Sequence, residues 1–529
     1  MVDILKLINL RRTPQAMPAH PDQRPNAAGG YTFVLDDVAR LRRFLVLGTD
    51  SGTYYTNAPE LTLDNAEVLL RLCTDDPDSL LATIREVSLS GAAPRQQPTL
   101  FALAAATARC DEPHRRQALA MLPEIARTGT QLFLFAGYVE QFRGWGRGLR
   151  RAVASWYADQ PLQKVAYQTV KYRSRAGWTH RDLLRLAHPA TTDEARRALF
   201  EWVVRGTDVS GVDGLQQVAA YAAAQQATGA ELAELITAGD LTWEMLPDRV
   251  LARPEVWETL VRKGMPMTAL LRQLGRLTKL GVLGQGRELT ELVADQLTDA
   301  DRLRAARVHP LQVLIAQRTY ARGRGVRGSL TWQPVPQLVD ALDQAFDKSF
   351  AAIRPTGKRL LLAVDVSGSM GWGQIAGTPI TPREAAAAMA LATARTESAY
   401  QLLGFSHRLV PLPVTPRQRL DDALSAMGRV PMGATDCALP MQHALREKLA
   451  VDAFVVYTDN ETWYGNEHPH QALQRYREQT GIDAKLIVVG MTATGSTIAV
   501  PDDPGMLDVV GFDASAPAVL ADFITGDAG

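Results

Sequence analysis

Three short stretches in the last third of the chain collect oxygen donors. "DVSGS" sets Asp365, Ser367 and Ser369 on alternate positions directly after the apolar run "LLLAV". "MGATDCALP" supplies Thr435, and "FVVYTDNE" ends an apolar run at Asp459. Two carboxylates and three hydroxyls, with neither cysteine nor histidine among them, are hard donors. They suit Mg²⁺, which takes octahedral oxygen coordination and keeps some of its water. Hydroxyls are weak, neutral ligands, so an ion held with only two negative charges stays electron-poor and accepts a carboxylate or phosphate from outside. That is binding chemistry. No nucleophile has an evident neighbouring base, and Ser367 stands where a phosphohydrolase built on Asp365 would need its second carboxylate. The chain is expected not to be an enzyme.

A second group is basic. Between residues 140 and 190 there are ten Lys/Arg against three Asp/Glu, plus His180 and His188. Reading "QKVAYQTVKYRSRAGW" as one helix closed by Gly177 puts Lys164, Lys171 and Arg175 on one face, with Ala166 and Val170 on the packing face. A second helix is expected from Thr179, with Asp182 as its capping-box partner. On it Arg181, Arg185 and His188 share a face, and Leu183, Leu186 and Ala187 lie opposite. Arg143, Arg147, Arg150 and Arg151 precede them, near Trp145 and Trp156, two tryptophans expected in the core. Arginines amid aromatics suit phosphate contact and base stacking; a merely solvated face is the plain alternative.

The elements that must carry these groups differ between the two halves. Residues 31–357 read as helix after helix, with apolar residues at helical spacing and glycines near the ends, as in "PEVWETLVRKGMPMTALLRQLGRLTKLGVLG". Pairs of roughly 40–47 residues indicate a HEAT-like α-solenoid of about seven or eight pairs. From residue 358 to 529, apolar runs alternate with helices: "RLLLAVDVS", "YQLLGF", "DAFVVYTD", "KLIVVGM" and "MLDVVGF". This is the pattern of an α/β doubly wound domain with a parallel sheet, whose ligands sit at the carboxyl ends of the strands. Thr381, Pro382 and Glu384 spell the start of a helix with a capping box. Residues 1–30, with "MPAHPDQRPNAAGG", read as a polar leader that the fold need not use.

The 529 residues carry no net formal charge, but the balance is uneven. From Leu360 onward there are 11 Lys/Arg and 19 Asp/Glu, against 46 and 38 before it. A positive front and a negative back point to different partners for the two halves. Cys73, Cys110 and Cys437 have neither disulfide nor zinc spacing, which fits a reducing cytoplasm. No run is long and apolar enough for a membrane span.

D-x-S-x-S with a later Thr and a later Asp resembles the metal-ion-dependent adhesion site (MIDAS) of von Willebrand factor A domains. By that analogy the serines and Thr435 contact the metal, and Asp365 and Asp459 act partly through water. More broadly, "LRRFLVLGTDSGTYY" (Leu41–Tyr55), "KYRSRAGWTHRDLLRLAH" (Lys171–His188), "GMPMTALLRQLGRLTKLG" (Gly264–Gly281), "DVSGSM", "GATDC" and "TDNETW" resemble the Ro autoantigen family, whose members carry a TROVE module. "TDSGTYY" mimics a metal motif but is expected to pack within the helical half. The resemblance implies a helical ring closed by contact with the von Willebrand factor A domain. It implies small noncoding Y RNA on the outer surface, single-stranded 3′ ends of misfolded RNA in the hole, and a role in RNA quality control or decay. It further implies a possible partnership with an exoribonuclease such as polynucleotide phosphorylase. Lys171, Arg175, His180, Arg185 and His188 would then contact RNA, with Arg173 and Arg181 where the family also tends to have lysine. The alternative reading is a Mg²⁺-dependent protein-binding adaptor on a helical scaffold, without RNA.

Overall fold

The computed structural model describes residues 12–526 apart from 50–52, 54, 57, 327–328, 350–354, 376–377, 413 and 514–515. A six-stranded sheet organises the C-terminal half, in the order Met506–Val510, Lys485–Gly490, Ala453–Thr458, Leu360–Asp365, Tyr400–Phe405, Leu409–Val410. All neighbours are parallel except the last pair. Strand alternation splits the apolar run Leu360–Asp365 between two layers. Leu360, Leu362 and Val364 join a core that continues into the helical half. Leu361 and Ala363 face Met441, Leu473 and Tyr476 on the other side. Helix Pro382–Thr396 starts as its sequence dictates: Thr381 and Glu384 form the reciprocal capping box, with Pro382 in the first turn.

The front half is helical from Asp37–Leu47 to Pro336–Lys348, successive helices packing on near neighbours, as Gln97–Arg109 does on Gly129–Phe142 and Glu288–Thr298 on Pro336–Lys348. The array also meets itself end to end. His309, at the start of helix Pro310–Ala321, lies 2.9 Å from the carbonyl of Ala92, and the Gln312 amide donates to Pro94 O at 3.2 Å. The tautomer follows from the contacts. The Nδ1 atom accepts from Leu311 N (3.1 Å), so Nε2–H is the group that donates to Ala92. The C-terminal domain is fastened across both ends of the array. Arg43 pairs with Asp508, Arg42 with Asp513, Arg318 with Glu384, and Arg395 with Asp343 and Asp347.

Burial holds His309 and His180 neutral, each pulled down to about 4. In the unfolded chain both imidazoles take up protons near pH 6.5; in the folded chain they do so only near pH 4. Their contribution is therefore whole above about pH 6.5 and is lost as pH falls toward 4, at about 1.4 kcal/mol per pH unit for each ring. Buried carboxylates such as Asp365 act in the opposite direction, so the comparison is with the variant: unfolding free energies measured between about pH 7 and 4.5 should differ in slope between the parent and His309→Gln by about one proton's worth. An unaltered slope in that variant would place the acid sensitivity elsewhere.

The reading of residues 1–30 as a dispensable leader is corrected from residue 12 onward; residues 1–11 lie outside the described residues. Tyr31–Val34 pairs antiparallel with both Arg24–Pro25 and Ser496–Thr497, so the amino-terminal segment is sewn into the C-terminal domain. Its polar composition hides this, because its partners are polar groups more than 400 residues away. The cysteines are also closer than their spacing indicates. Cys73 and Cys110 are both buried free thiols, near enough for each to perturb the other. Among the described residues no helix is long and apolar enough to cross a membrane.

Candidate metal centre and basic face

Asp365 is the last residue of its strand and Asp459 directly follows the adjacent strand Ala453–Thr458, so both emerge at the carboxyl edge of the sheet. The next strand on one side comes from the chain immediately following and that on the other from much later, which opens a crevice at this point. Asp365 Oδ1 accepts from the Ser367 amide (2.8 Å) and Oδ2 from the Thr458 hydroxyl (2.7 Å). The Ser367 and Ser369 hydroxyls are 3.0 Å apart, and Ser369 donates to Asp459. The Thr435 loop is tied in by Gly368 N to Gly433 O (3.1 Å) and by the amides of Trp463 and Tyr464 to Thr435 O (3.2 and 3.0 Å). Arg383 reaches from its helix to the carbonyls of Val366 and Ser367.

All five oxygen-bearing side chains are buried, and the segments that carry them meet at this edge of the sheet. Burial pushes Asp365 up to about 7, with repulsion from Asp459 adding to it, and burial likewise raises Asp459. Thr435 Oγ1 is enclosed and has no hydrogen-bond partner among the described residues. Two buried carboxylates in mutual repulsion beside an orphaned hydroxyl are an arrangement that a cation between them satisfies. The donor set fits a hard divalent ion.

The mouth of this site holds residues that the sequence did not flag. Trp372, Met432, Trp463 and Tyr464, on the same three loops, are among the most exposed large apolar side chains described, Met432 at 61% and Trp372 at 50%. Tyr55 also reaches the mouth. It is hydrogen-bonded to Trp463 and pushed up to about 12, chiefly by burial and then by the charges of Asp459, Glu461 and Asp365. The expectation that "TDSGTYY" packs wholly within the helical half is thus corrected at Tyr55; residues 50–52 and 54 lie outside the described residues.

On the basic side, the second helix runs from His180 to Ala187 with Thr179 and Asp182 as its capping box. The first is shorter than expected, Leu162–Lys171. It gives way to a hairpin in which Ser174 pairs with Thr179 and Arg175 with Trp178. The two turn residues, Ala176 (φ 50°) and Gly177 (φ 81°), both lie in the left-handed region, the signature of a tight type I′ connection. Lys171 and Arg175 therefore do not share a helical face. Lys164, Arg173, Arg175, Arg181, Arg185 and His188 are exposed. No carboxylate pairs with Lys164, Arg175, Arg181 or Arg185 among the described residues.

Two members of the expected RNA-contacting set are placed elsewhere. The Lys171 side chain is only 8% exposed: its ammonium donates to Tyr167 Oη (2.7 Å), lies over the Tyr167 and Tyr172 rings, and is 4.0 Å from Glu244. His180 is a core residue. Its ring packs against Phe133, Trp156 and Tyr157, and its Nδ1 is 2.6 Å from Tyr157 Oη. Trp156 is buried as expected, whereas Trp145 is half-buried against Trp178.

The TROVE domain family model matches residues 24–228 and 237–319, and the Ro60 vWA domain model matches residues 359–524. The chain belongs to the Ro60 family. It is 42% identical to a Deinococcus radiodurans protein named RNA-binding protein RO60, over the whole of both chains. To a Caenorhabditis elegans protein of the same name it is 34% identical, over 98% of this chain and 92% of that one. The crystal structure of the Deinococcus radiodurans RO (RSR) protein superimposes with a TM-score of 0.70 at 42% identity, covering 93% of this chain and all of that one. The TROVE match begins at residue 24, inside the stretch read as a leader.

For this Ro60-family chain, the sequence points to the strand ends that carry Asp365 and Asp459 and to the exposed arginines. It does not yield the mouth residue Tyr55, for which the "TDSGTYY" mimicry was the available signal. Nor does it yield the withdrawal of Lys171 and His180, which depends on aromatic partners such as Tyr157 and Phe133 that only the tertiary fold brings together.

Proposed function

We propose that this chain is the non-catalytic, RNA-binding core of a small ribonucleoprotein in the cytoplasm. The hairpin and helix bearing Arg173, Arg175, Arg181, Arg185 and His188, with Lys164 beside them, grip a structured Y-like noncoding RNA on the outside of the ring. Single-stranded ends of misfolded RNA enter the hole, and an exoribonuclease such as polynucleotide phosphorylase takes them for quality control or decay. A Mg²⁺ ion is held by Asp365, Ser367, Ser369, Thr435 and Asp459. The observation that carries the RNA reading is the cluster of exposed arginines without carboxylate partners. Two relatives named as RNA-binding proteins support it.

The test is to purify the chain at low salt, sequence the RNA that accompanies it, and titrate that RNA between 50 and 200 mM salt. With four or more phosphates neutralised, affinity should fall by about a hundredfold or more across this range. No accompanying RNA, or a flat salt response, would overturn the reading. The exposed apolar rim of Trp372, Met432, Trp463 and Tyr464 favours a second reading, a Mg²⁺-dependent protein adaptor. That reading instead expects a captured protein released by chelator and no accompanying nucleic acid.

A further inference from the structure

We infer that Gln15, in the amino-terminal strap, is a positioning residue of the metal centre, and that cation binding and docking of the strap reinforce each other. The inference rests on the metal reading above. Gln15 is fully buried, in a stretch whose composition reads as disposable. Its Nε2 donates to Asp436 Oδ1 (2.7 Å) and to Glu467 O (2.8 Å), and its Oε1 accepts from the Thr462 hydroxyl. That hydroxyl also lies 3.2 Å from Thr435 O and accepts from Cys437 N at 3.1 Å. One glutamine side chain thereby joins the loop that carries Thr435 to the loop that follows Asp459.

The strap grips the second loop at three more places. Asn26 Nδ2 donates to Thr462 O (2.7 Å), and Ala28 N donates to Glu461 Oε2 (3.2 Å). Gly30 lies so close that a β-carbon there would fall 2.0 Å from Thr462 O and 2.7 Å from the Cα of Trp463. Glycine is what allows the two backbones to approach. Beyond Gly30 the strap pairs with Ser496–Thr497 and runs into Asp37–Leu47, the first helix of the helical half.

A cation that draws on both Thr435 and Asp459 needs their loops at a fixed separation, and Gln15 ties those loops together. Groups behind the ligands of a metal site hold the ligands in place, and losing one typically weakens metal affinity by about 10–100-fold. Linkage makes the effect mutual: whatever raises cation affinity by fixing the strap must itself be held more tightly when the cation is bound.

Isothermal titration of the full chain with Mn²⁺ tests this. Gln15→Ala should bind Mn²⁺ about tenfold or more weakly than the parent. Gln23→Ala, which removes a strap contact to His468, the cap of helix Pro469–Thr480 at the far end of the second loop, should bind as the parent does. In the unmodified chain, saturating Mg²⁺ should slow amide exchange across residues 13–31. Parental affinity in Gln15→Ala, equal weakening in Gln23→Ala, or exchange in 13–31 indifferent to Mg²⁺ would each overturn the inference. If Gln15→Ala fails to fold, the exchange measurement decides. A parent chain that takes up no cation would remove the metal reading and this inference with it. Normal uptake with an unaltered Gln15→Ala would remove this inference alone.

Discussion

Arg43→Met is expected to destabilise the chain by roughly 3–5 kcal/mol, because it leaves a buried ionic cluster without its cation. Arg43 sits on helix Asp37–Leu47 with its guanidinium enclosed by the C-terminal domain. It makes a two-pronged contact with Asp508 (2.8 and 2.6 Å) and donates to the carbonyls of Thr494 (3.0 Å) and Ser496 (2.9 Å). Gly490 leaves room for it; a β-carbon there would fall 2.5 Å from the guanidinium. Methionine keeps much of the volume but none of the donors, so one carboxylate and two carbonyls lose their partner. The Thr497 hydroxyl (2.6 Å) would then be the remaining donor to Asp508. Denaturant titration followed by tryptophan fluorescence should show a markedly earlier transition. Arg43→Met combined with Asp508→Leu should recover much of the loss, since the cost lies in the stranded charge. A single variant within about 1 kcal/mol of the parent would mean that the two halves are held together chiefly by apolar packing.

Different physics governs what the sequence did and did not disclose. The sheet was legible because its strands are buried on both faces, so "LLLAV", "FVVY" and "LIVV" are continuous apolar runs that tolerate few alternatives. Asp365 and Asp459 were legible because each follows such a run and strand ends in parallel sheets gather on one edge, whereas Thr435 stands in a loop between helices Leu420–Met427 and Leu439–Arg446. The hairpin at Ser174–Thr179 was not. Its six residues interrupt two amphipathic helices, and basic residues at positions 164, 171 and 175 mimic a helical stripe across the break. The strap was invisible for the opposite reason. It has little apolar content of its own, and its order comes from polar contacts such as Gln15 with Asp436, at a sequence separation of 421. Local pattern carries no trace of such pairings. His180 shows a third limit. A histidine at a helix start beside arginines reads as a surface group until Tyr157 and Phe133, from two other helices, enclose it.

The withdrawal of Lys171 and His180 redirects the RNA experiment to the arginines. Replacing Arg175, Arg181 and Arg185 together by glutamine is expected to lower affinity for a structured RNA on the order of a hundredfold near 0.1 M salt. Each of these side chains is exposed and unpaired by carboxylate among the described residues, so each is available to neutralise a phosphate. Glutamine keeps a hydrogen-bonding amide on a shorter side chain but removes the charge. If all three contact the backbone, the slope of log affinity against log salt should therefore become shallower by about 2–3. Lys171→Met supplies the contrast. Its ammonium is already engaged by Tyr167 and Glu244, so its removal should leave the slope within about half a unit of the parent, although a single backbone contact would shift it by about one. Fluorescence anisotropy at four salt concentrations separates these outcomes. A triple variant with the parental slope would show that the RNA lies elsewhere on the ring. A Lys171→Met slope shifted by a full unit would show that RNA pulls this lysine out of its aromatic niche.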